Sequence, residues 1–392
     1  MSRTWRALVA VLTLLLLTGC SAAADALRPD PTWMPQPEGP PPADLPQPPS
    51  TEGAPSPGAP GQPGGPEAGT ADDPNVVAIG LTLPWGLAVL PDGTALVGER
   101  TTGRLLIVQP ERAPAKPVMR IPGLDGTGDG GLLGLALSPN YDDDGLVYAY
   151  MTTRTDNRVV RFALRGAVTP VLTGIPKGRT GNGGRIAFGS DGMLYVGTGD
   201  AGKPALSADR KSLAGKVLRV DTFGRPDRNN PDPSSPVYSL GHGRLAGLCL
   251  SGVDQVYTTE PGQAGKDEVN RVEAGRDYGW PGGARTGAAA PDREIPASVG
   301  GLSGCAIIER GLFVTSTTGR RLYALPLDGS GQPGSPADYL VGAYGRLRTV
   351  VAGPDGALWL TTSNKDGAGK PTPQDDRVIR IMPPAGSTNS PA

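Results

Sequence analysis

Few residues in this chain can do chemistry, and their scarcity narrows the field. Among 392 residues there is a single histidine, His242. One imidazole rules out a zinc site built on three histidines. A Ser-His-Asp relay would have to be assembled on His242, and no nucleophile elbow accompanies it. Arg346 and Arg348 are separated by one residue. On a strand that spacing puts both guanidinium groups on one face, where their forked donors suit the carboxylates of a planar acid. The alternative is an arginine pair on a solvated strand end. Asp142-Asp143-Asp144 lacks the spacing of a calcium loop and reads as a solvated turn.

These side chains sit among copies of one hairpin. Gly181–Gly202 (GNGGRIAFGSDGMLYVGTGDAG) shows it best: an alternating strand, a tight Asp191-Gly192 turn, a second strand and a polar loop. The pattern recurs at Trp85 (WGLAVLPDGTALVGER), Gly134 (GLALSPNYDDDGLVYAYMTT), Gly247 (GLCLSGVDQVYTTE), Gly304 (GCAIIERGLFVTSTT) and Thr349 (TVVAGPDGALWLTTSN). The copies lie roughly 45–60 residues apart, the spacing of propeller blades with insertions. A further short strand follows each: Arg104–Val108, Arg158–Phe162, Lys216–Val220, Glu268–Val272, Arg321–Leu325 and Arg377–Ile381. Two inner strands plus outer ones make a four-stranded blade, so the expected fold is an all-β six-bladed β-propeller over residues 76–385. Residues 76–82 are expected to close the ring by pairing with the last blade.

Composition sets the surroundings. A net charge of −1 gives no electrostatic reason to expect a nucleic-acid partner. Arg3 and Arg6 precede the apolar run Ala7–Leu17, and Leu17-Thr18-Gly19-Cys20 resembles a bacterial lipobox. Residues 1–20 therefore read as a lipoprotein signal, with Cys20 lipidated and the chain exported and held at the outer face of the membrane. The alternative is an ordinary signal peptide. Residues 21–75 are rich in Pro and Gly and read as a disordered tether, with a proline-motif ligand as the other reading. Residues 386–392 read as a disordered tail. Cys249 and Cys305 remain. They fall near the starts of the fourth and fifth copies, one position out of phase, as facing sheets of adjacent blades require of a bridge. Such a bridge typically adds about 2–4 kcal/mol; the alternative is two unpaired thiols.

The hairpins resemble those of the soluble glucose/sorbosone dehydrogenase family, which includes aldose sugar dehydrogenases that use pyrroloquinoline quinone (PQQ). The matching stretches are Gly131–Tyr141, Gly183–Gly202, Leu213–Asp221, Gly241-His242, Glu260–Pro281 and Arg346–Thr362, with Lys266-DEVN…YGWP281 the most specific. The chain is also similar to mycobacterial lipoproteins of that family, which share the lipobox, the tether, TDNRVVR and GIPKG. The resemblance implies an oxidoreductase pocket, and this chain departs from it. The family's catalytic His, which precedes Gln/Asn-x-Gly-Arg, falls on Gly181. Asn182 and Arg185 keep the rest of that motif. The family's Gly-His-Arg-Asn reads Gly241-His242-Gly243-Arg244, and its Lys falls on Thr318.

Other positions persist. Arg346 and Arg348 match two cofactor-pocket arginines, and Asp129 stands where the family has Gln or Glu. Gly262 and Gln263 match carbonyls that hold calcium, although Pro261 replaces the polar residue before them. The resemblance thus implies ligand or cofactor contacts at Asp129, Asn182, Arg185, Arg244, Glu260, Arg346 and Arg348, with PQQ and calcium as the cofactors in question. The expected function is a ligand- or partner-binding lipoprotein, non-catalytic or altered, whose partner is a small molecule or an envelope protein. One alternative is a PQQ-dependent sugar dehydrogenase in which Asp129 or Glu260 replaces the base. The other is an envelope scaffold.

Overall fold

The computed structural model describes residues 72–252, 255–262, 265–282 and 287–384. The signal with Cys20, the tether up to residue 71, Gln263 and the 386–392 tail lie outside the described residues.

β1 (Val76–Ala78) opens the fold. Blade 1 follows as β2 (Pro84–Val89), β3 (Ala95–Glu99), β4 (Arg104–Val108) and β5 (Lys116–Arg120). Blade 2 is β6 (Leu132–Leu137), β7 (Leu146–Thr152), β8 (Asn157–Ala163) and β9 (Thr169–Ile175). Its β6–β7 turn holds a single helical turn, α1 (Tyr141–Asp144), in which all three acidic residues are exposed. Blade 3 is β10 (Gly183–Phe188), β11 (Leu194–Thr198), β12 (Lys216–Val220) and β13 (Val237–Leu240). Blade 4 is β14 (Gly247–Leu250), β15 (Val256–Glu260), β16 (Lys266–Val272) and β17 (Arg293–Pro296). Blade 5 is β18 (Leu302–Ile308), β19 (Gly311–Ser316), β20 (Arg321–Pro326) and β21 (Ala337–Tyr339). Blade 6 is β22 (Leu347–Ala352), β23 (Leu358–Thr362) and β24 (Val378–Ile381), completed by β1.

Six four-stranded antiparallel sheets result, and the chain is a six-bladed β-propeller. β1 pairs with β24 through Val76↔Ile379 and Ala78↔Val378, so the ring closes between the two ends of the domain. The folded part reaches slightly upstream of Val76: Asp73 is buried and accepts a 2.7 Å bond from the Tyr344 hydroxyl. Second strands such as β3, β11, β15, β19 and β23 are buried along their whole length, because neighbouring blades cover both faces. That is why they read as nearly continuous apolar runs. Cys249 and Cys305 form a disulfide between β14 and β18, with Cα atoms 5.7 Å apart.

The innermost strands obey one rule around the axis. One residue of each faces the carbonyl that precedes the equivalent residue of the next blade. In four blades it is glycine, and a Cβ would lie 2.4 Å from Leu133 O at Gly86, 2.4 Å from Gly184 O at Gly134, 2.3 Å from Ser303 O at Gly247 and 3.1 Å from Arg348 O at Gly304. In blade 6 it is Thr349, whose hydroxyl donates to Trp85 O at 2.6 Å. In blade 3 it is Arg185, whose Nε donates to Ala246 O at 2.6 Å. Contacts this close leave no slack. Gly134→Ala is expected to cost about 1–3 kcal/mol in urea unfolding, whereas Gly252→Ala, with open space around it, should stay within about 0.5 kcal/mol of the parent.

Candidate functional site

Every hairpin copy ends at the same rim of the ring, and there the blades enclose a cavity of about 530 Å3. Its charged lining is Arg100, Asp129, Arg179, Arg244, Asp267, Arg346, Arg348 and Asp366. Arg346 and Arg348 do converge, though not by a regular pleat. Arg346 lies just before β22, and Arg348 sits where the β22 register slips between Leu347 and Thr349. The bulge turns the second guanidinium toward the first. Both reach one oxygen of Asp366, Arg346 through Nη2 at 2.9 Å and Arg348 through Nη2 at 3.1 Å. Burial raises the Asp366 carboxyl, but the Ala368 N–H and the two arginines outweigh it and hold it below the ordinary value. Burial pushes the Arg348 guanidinium down to about 10. Asp366 opposes that shift, while the charges of Arg244, Arg346 and Arg100 add to it.

The other carboxylates of the cavity are engaged by neutral donors. Asp129 accepts the Gly181 N–H at 2.8 Å and a bond from the Asn182 amide. Asp267 accepts the backbone N–H groups of Gly301 and Leu302. Of the three, Asp366 alone balances guanidinium charge by direct pairing, so five arginines against three aspartates leave the cavity cationic.

Residues 81–298 match the glucose/sorbosone dehydrogenase family. The chain belongs to that family. It is similar to the PQQ-bound aldose sugar dehydrogenase of Streptomyces coelicolor, with 42% identity, 78% of this chain and 96% of that one covered, and a TM-score of 0.75. It is similar to an oxidoreductase (glucose dehydrogenase) of Thermus thermophilus, with 38% identity, 78% and 98% coverage, and a TM-score of 0.72. Quinoprotein glucose dehydrogenase B of Acinetobacter calcoaceticus is 29% identical over 249 residues, which are 53% of this chain and 52% of that one.

Within this sugar dehydrogenase-like propeller the motif-derived candidates separate. Asp129, Arg244, Arg346 and Arg348 line the cavity; Asn182, Arg185 and Glu260 do not. Asn182 is 1% exposed, and besides Asp129 its amide binds Gly178 N and O and Asn157. It builds the loop under the cavity. Glu260 is similarly enclosed. It accepts His242 Nδ1–H at 2.9 Å and the Gly243 N–H at 3.0 Å, while His242 Nε2 meets Ser239 Oγ at 2.8 Å. Ser239, His242 and Glu260 thus form a Ser-His-Glu line, but all three are buried and none reaches the cavity. Glu260 is buried and lies outside the lining of the cavity. Arg185 lies deeper, on the ring axis.

Gly181, which motif comparison matches to the family's base, has φ +73°, and a Cβ there would lie 2.3 Å from Asp200 Oδ1. Asp200 is itself fixed by the Gly202 N–H and by Trp280 Nε1. The backbone at this point is built for glycine. As for calcium, Gly262 is packed against Lys266 O and Glu268, and Gln263 is outside the described residues. Among the described residues no three His, Cys, Asp or Glu side chains gather into a metal-holding group.

Motif reading missed Arg100, Arg179, Asp267 and Asp366. Arg100 ends the first hairpin as Asp200 ends the third, and that shared end was the available signal. Asp267 sits inside the specific Lys266-DEVN block. Asp366 belongs to the long β23–β24 connection, which carries no pattern.

Below this rim, Glu268 faces Glu260 directly across β15 and β16. Burial, followed by the Glu260 charge, pushes Glu268 from 4.5 up to about 7. The folded chain therefore holds a proton that the unfolded chain has lost between those values, so stability falls as pH rises through that window. Glu268→Gln should flatten the difference in Tm between pH 5 and pH 8; an unchanged difference would remove Glu268 from the account.

Proposed function

We propose that this chain is an exported, lipid-anchored member of the family that binds a planar polycarboxylate of the PQQ type and does not carry out the family's sugar oxidation. The carrying observation is the contrast between the two halves of the site. Arg346 and Arg348 stand paired on Asp366, while the position matched to the family's base is a glycine at φ +73°, where any side chain is strained and a Cβ would press on Asp200 Oδ1.

The residues present suit such a ligand. Arg346 and Arg348 would hold its carboxylates, with Arg100 and Arg244 adding positive charge. Arg348 has a buried Nε that finds no partner among the described residues. PQQ, when bound, supplies a two-electron acceptor. A forked, permanently charged donor recognises a carboxylate better than an ammonium does, so loss of the family's Lys at Thr318 weakens the clamp without abolishing it. The sugar-oxidising half is different. Loss of a positioned base typically costs about 10²–10⁴-fold, and among the cavity's groups only Asp129 is placed to compensate.

That placement favours one second reading. Because Asp129 accepts the Gly181 N–H, its carboxylate stands beside the vacated position. A slow dehydrogenase using Asp129 would follow. Adding PQQ and calcium to the purified protein separates the two. Stoichiometric quinone binding, weakened at least tenfold by Arg348→Ala (about 1.4 kcal/mol), without dye reduction by aldoses, is the expected result. Turnover abolished by Asp129→Asn would establish the second reading, and absence of any quinone binding would remove the first.

Anchoring rests on Leu17-Thr18-Gly19-Cys20 and the Pro-rich stretch after it. Cys20→Ala should shift the protein from the membrane fraction to the soluble exported fraction.

A further inference from the structure

Arg185 belongs to the family's motif but not to the cavity, and its surroundings give it another task. Its guanidinium is nearly fully buried, with the residue 7% exposed, at the centre of the ring. Nε donates to Ala246 O of blade 4 at 2.6 Å, Nη1 to Thr349 Oγ1 of blade 6 at 2.9 Å, and Nη2 to Arg348 O of blade 6 at 3.1 Å. The guanidinium carbon lies 3.8 Å from the ring centroid of Trp85 in blade 1. One side chain from blade 3 therefore touches three other blades, including the one opposite. It can do so because Gly86, Gly134, Gly247 and Gly304 leave the axis free of side chains at the same level.

We propose that Arg185 is a positioning residue: it crosses the ring axis and pins the strand that presents Arg348 to the cavity. The Arg348 carbonyl takes two donors, Arg185 Nη2 and the Thr315 hydroxyl at 3.0 Å. Thr349 next to it accepts from Arg185 and donates to Trp85 O. The bulge that aims Arg348 at Asp366 is thus fixed on its axial side. No side chain other than arginine offers this planar fork of donors together with a flat face for the indole. The pinning also has an electrostatic side. Among the described residues no carboxylate pairs with Arg185; burial, and then the Arg348 charge, push it down to about 9. Arg185 beneath the cavity and Arg348 in its lining together favour an anion within it.

The inference rests on the reading of the cavity as the ligand site, so its test has one arm that needs no ligand. Arg185→Lys keeps a charge but loses the fork; Arg185→Met keeps bulk alone. In both, PQQ affinity measured by quinone absorbance well below Tm should fall at least tenfold, and amide hydrogen exchange over residues 346–350 should quicken. A merely stabilising arginine would lower Tm and leave both readings within twofold of the parent, which would overturn the proposal. Where either variant fails to fold, Thr349→Val removes the hydroxyl that accepts from Arg185 and donates to Trp85 O and should quicken the same amides; unchanged exchange in a folded Thr349→Val overturns the proposal as well. If the parent protein binds no PQQ, faster exchange supports the positioning role while the cofactor reading falls.

Discussion

Room on the ring axis is the constraint on which the rest of this propeller depends. Six inner strands approach so closely that one residue of each meets the carbonyl of the next blade, and in four of the six that residue is glycine. The remaining two carbonyls, those of Ala246 and Trp85, receive donors from Arg185 and Thr349 instead. A carbonyl buried at such a place would be costly if left without a partner. Axial packing and hydrogen bonding are therefore settled together, and the space released by four absent side chains is filled by one long one. Closure by β1 on β24 holds this arrangement at the seam of the ring, with Asp73 and Tyr344 fixing the chain just outside it.

The cavity inherits its character from that ring. Because strand direction alternates within a blade, all hairpins finish at one rim, and side chains from different blades meet there. Their charges do not cancel. Arg346 and Arg348 share a single Asp366 oxygen, so one negative charge answers two positive ones. Asp129 and Asp267 are occupied by amide donors, which orient them without neutralising an arginine. In a partly enclosed site of reduced dielectric, such an excess acts over the whole cavity.

The repeat made the architecture legible. Tight Asp-Gly turns, alternating strands and the short third strands announced six blades, and the parity of Cys249 and Cys305 announced their bridge. Outermost strands such as β5 and β21 escaped notice because they are largely exposed and carry no apolar pattern. The site was harder to read. Motif matching assigns a residue by its neighbours in sequence, whereas pleat parity decides where it points. Arg185 follows Gly184 in a cofactor motif, yet its parity sends it to the axis. The sequence did contain the signal, since the six copies place Gly86, Gly134, Arg185, Gly247, Gly304 and Thr349 in one column. Asp366 had no such column, lying in a connection unique to blade 6.

The surroundings of Gly181 involve more than its own backbone. A histidine at Gly181 would need Asp200 to move, and Asp200 holds both its own turn and the Trp280 indole, which in turn packs against Gly243. Gly181, before blade 3, and Gly243, before blade 4, thus meet through one aspartate and one tryptophan. A side chain at either glycine would therefore press on one member of the Asp200–Trp280 pair. The arginine pair is held separately, from the axis, where Arg185 binds the Arg348 carbonyl and the Thr349 hydroxyl.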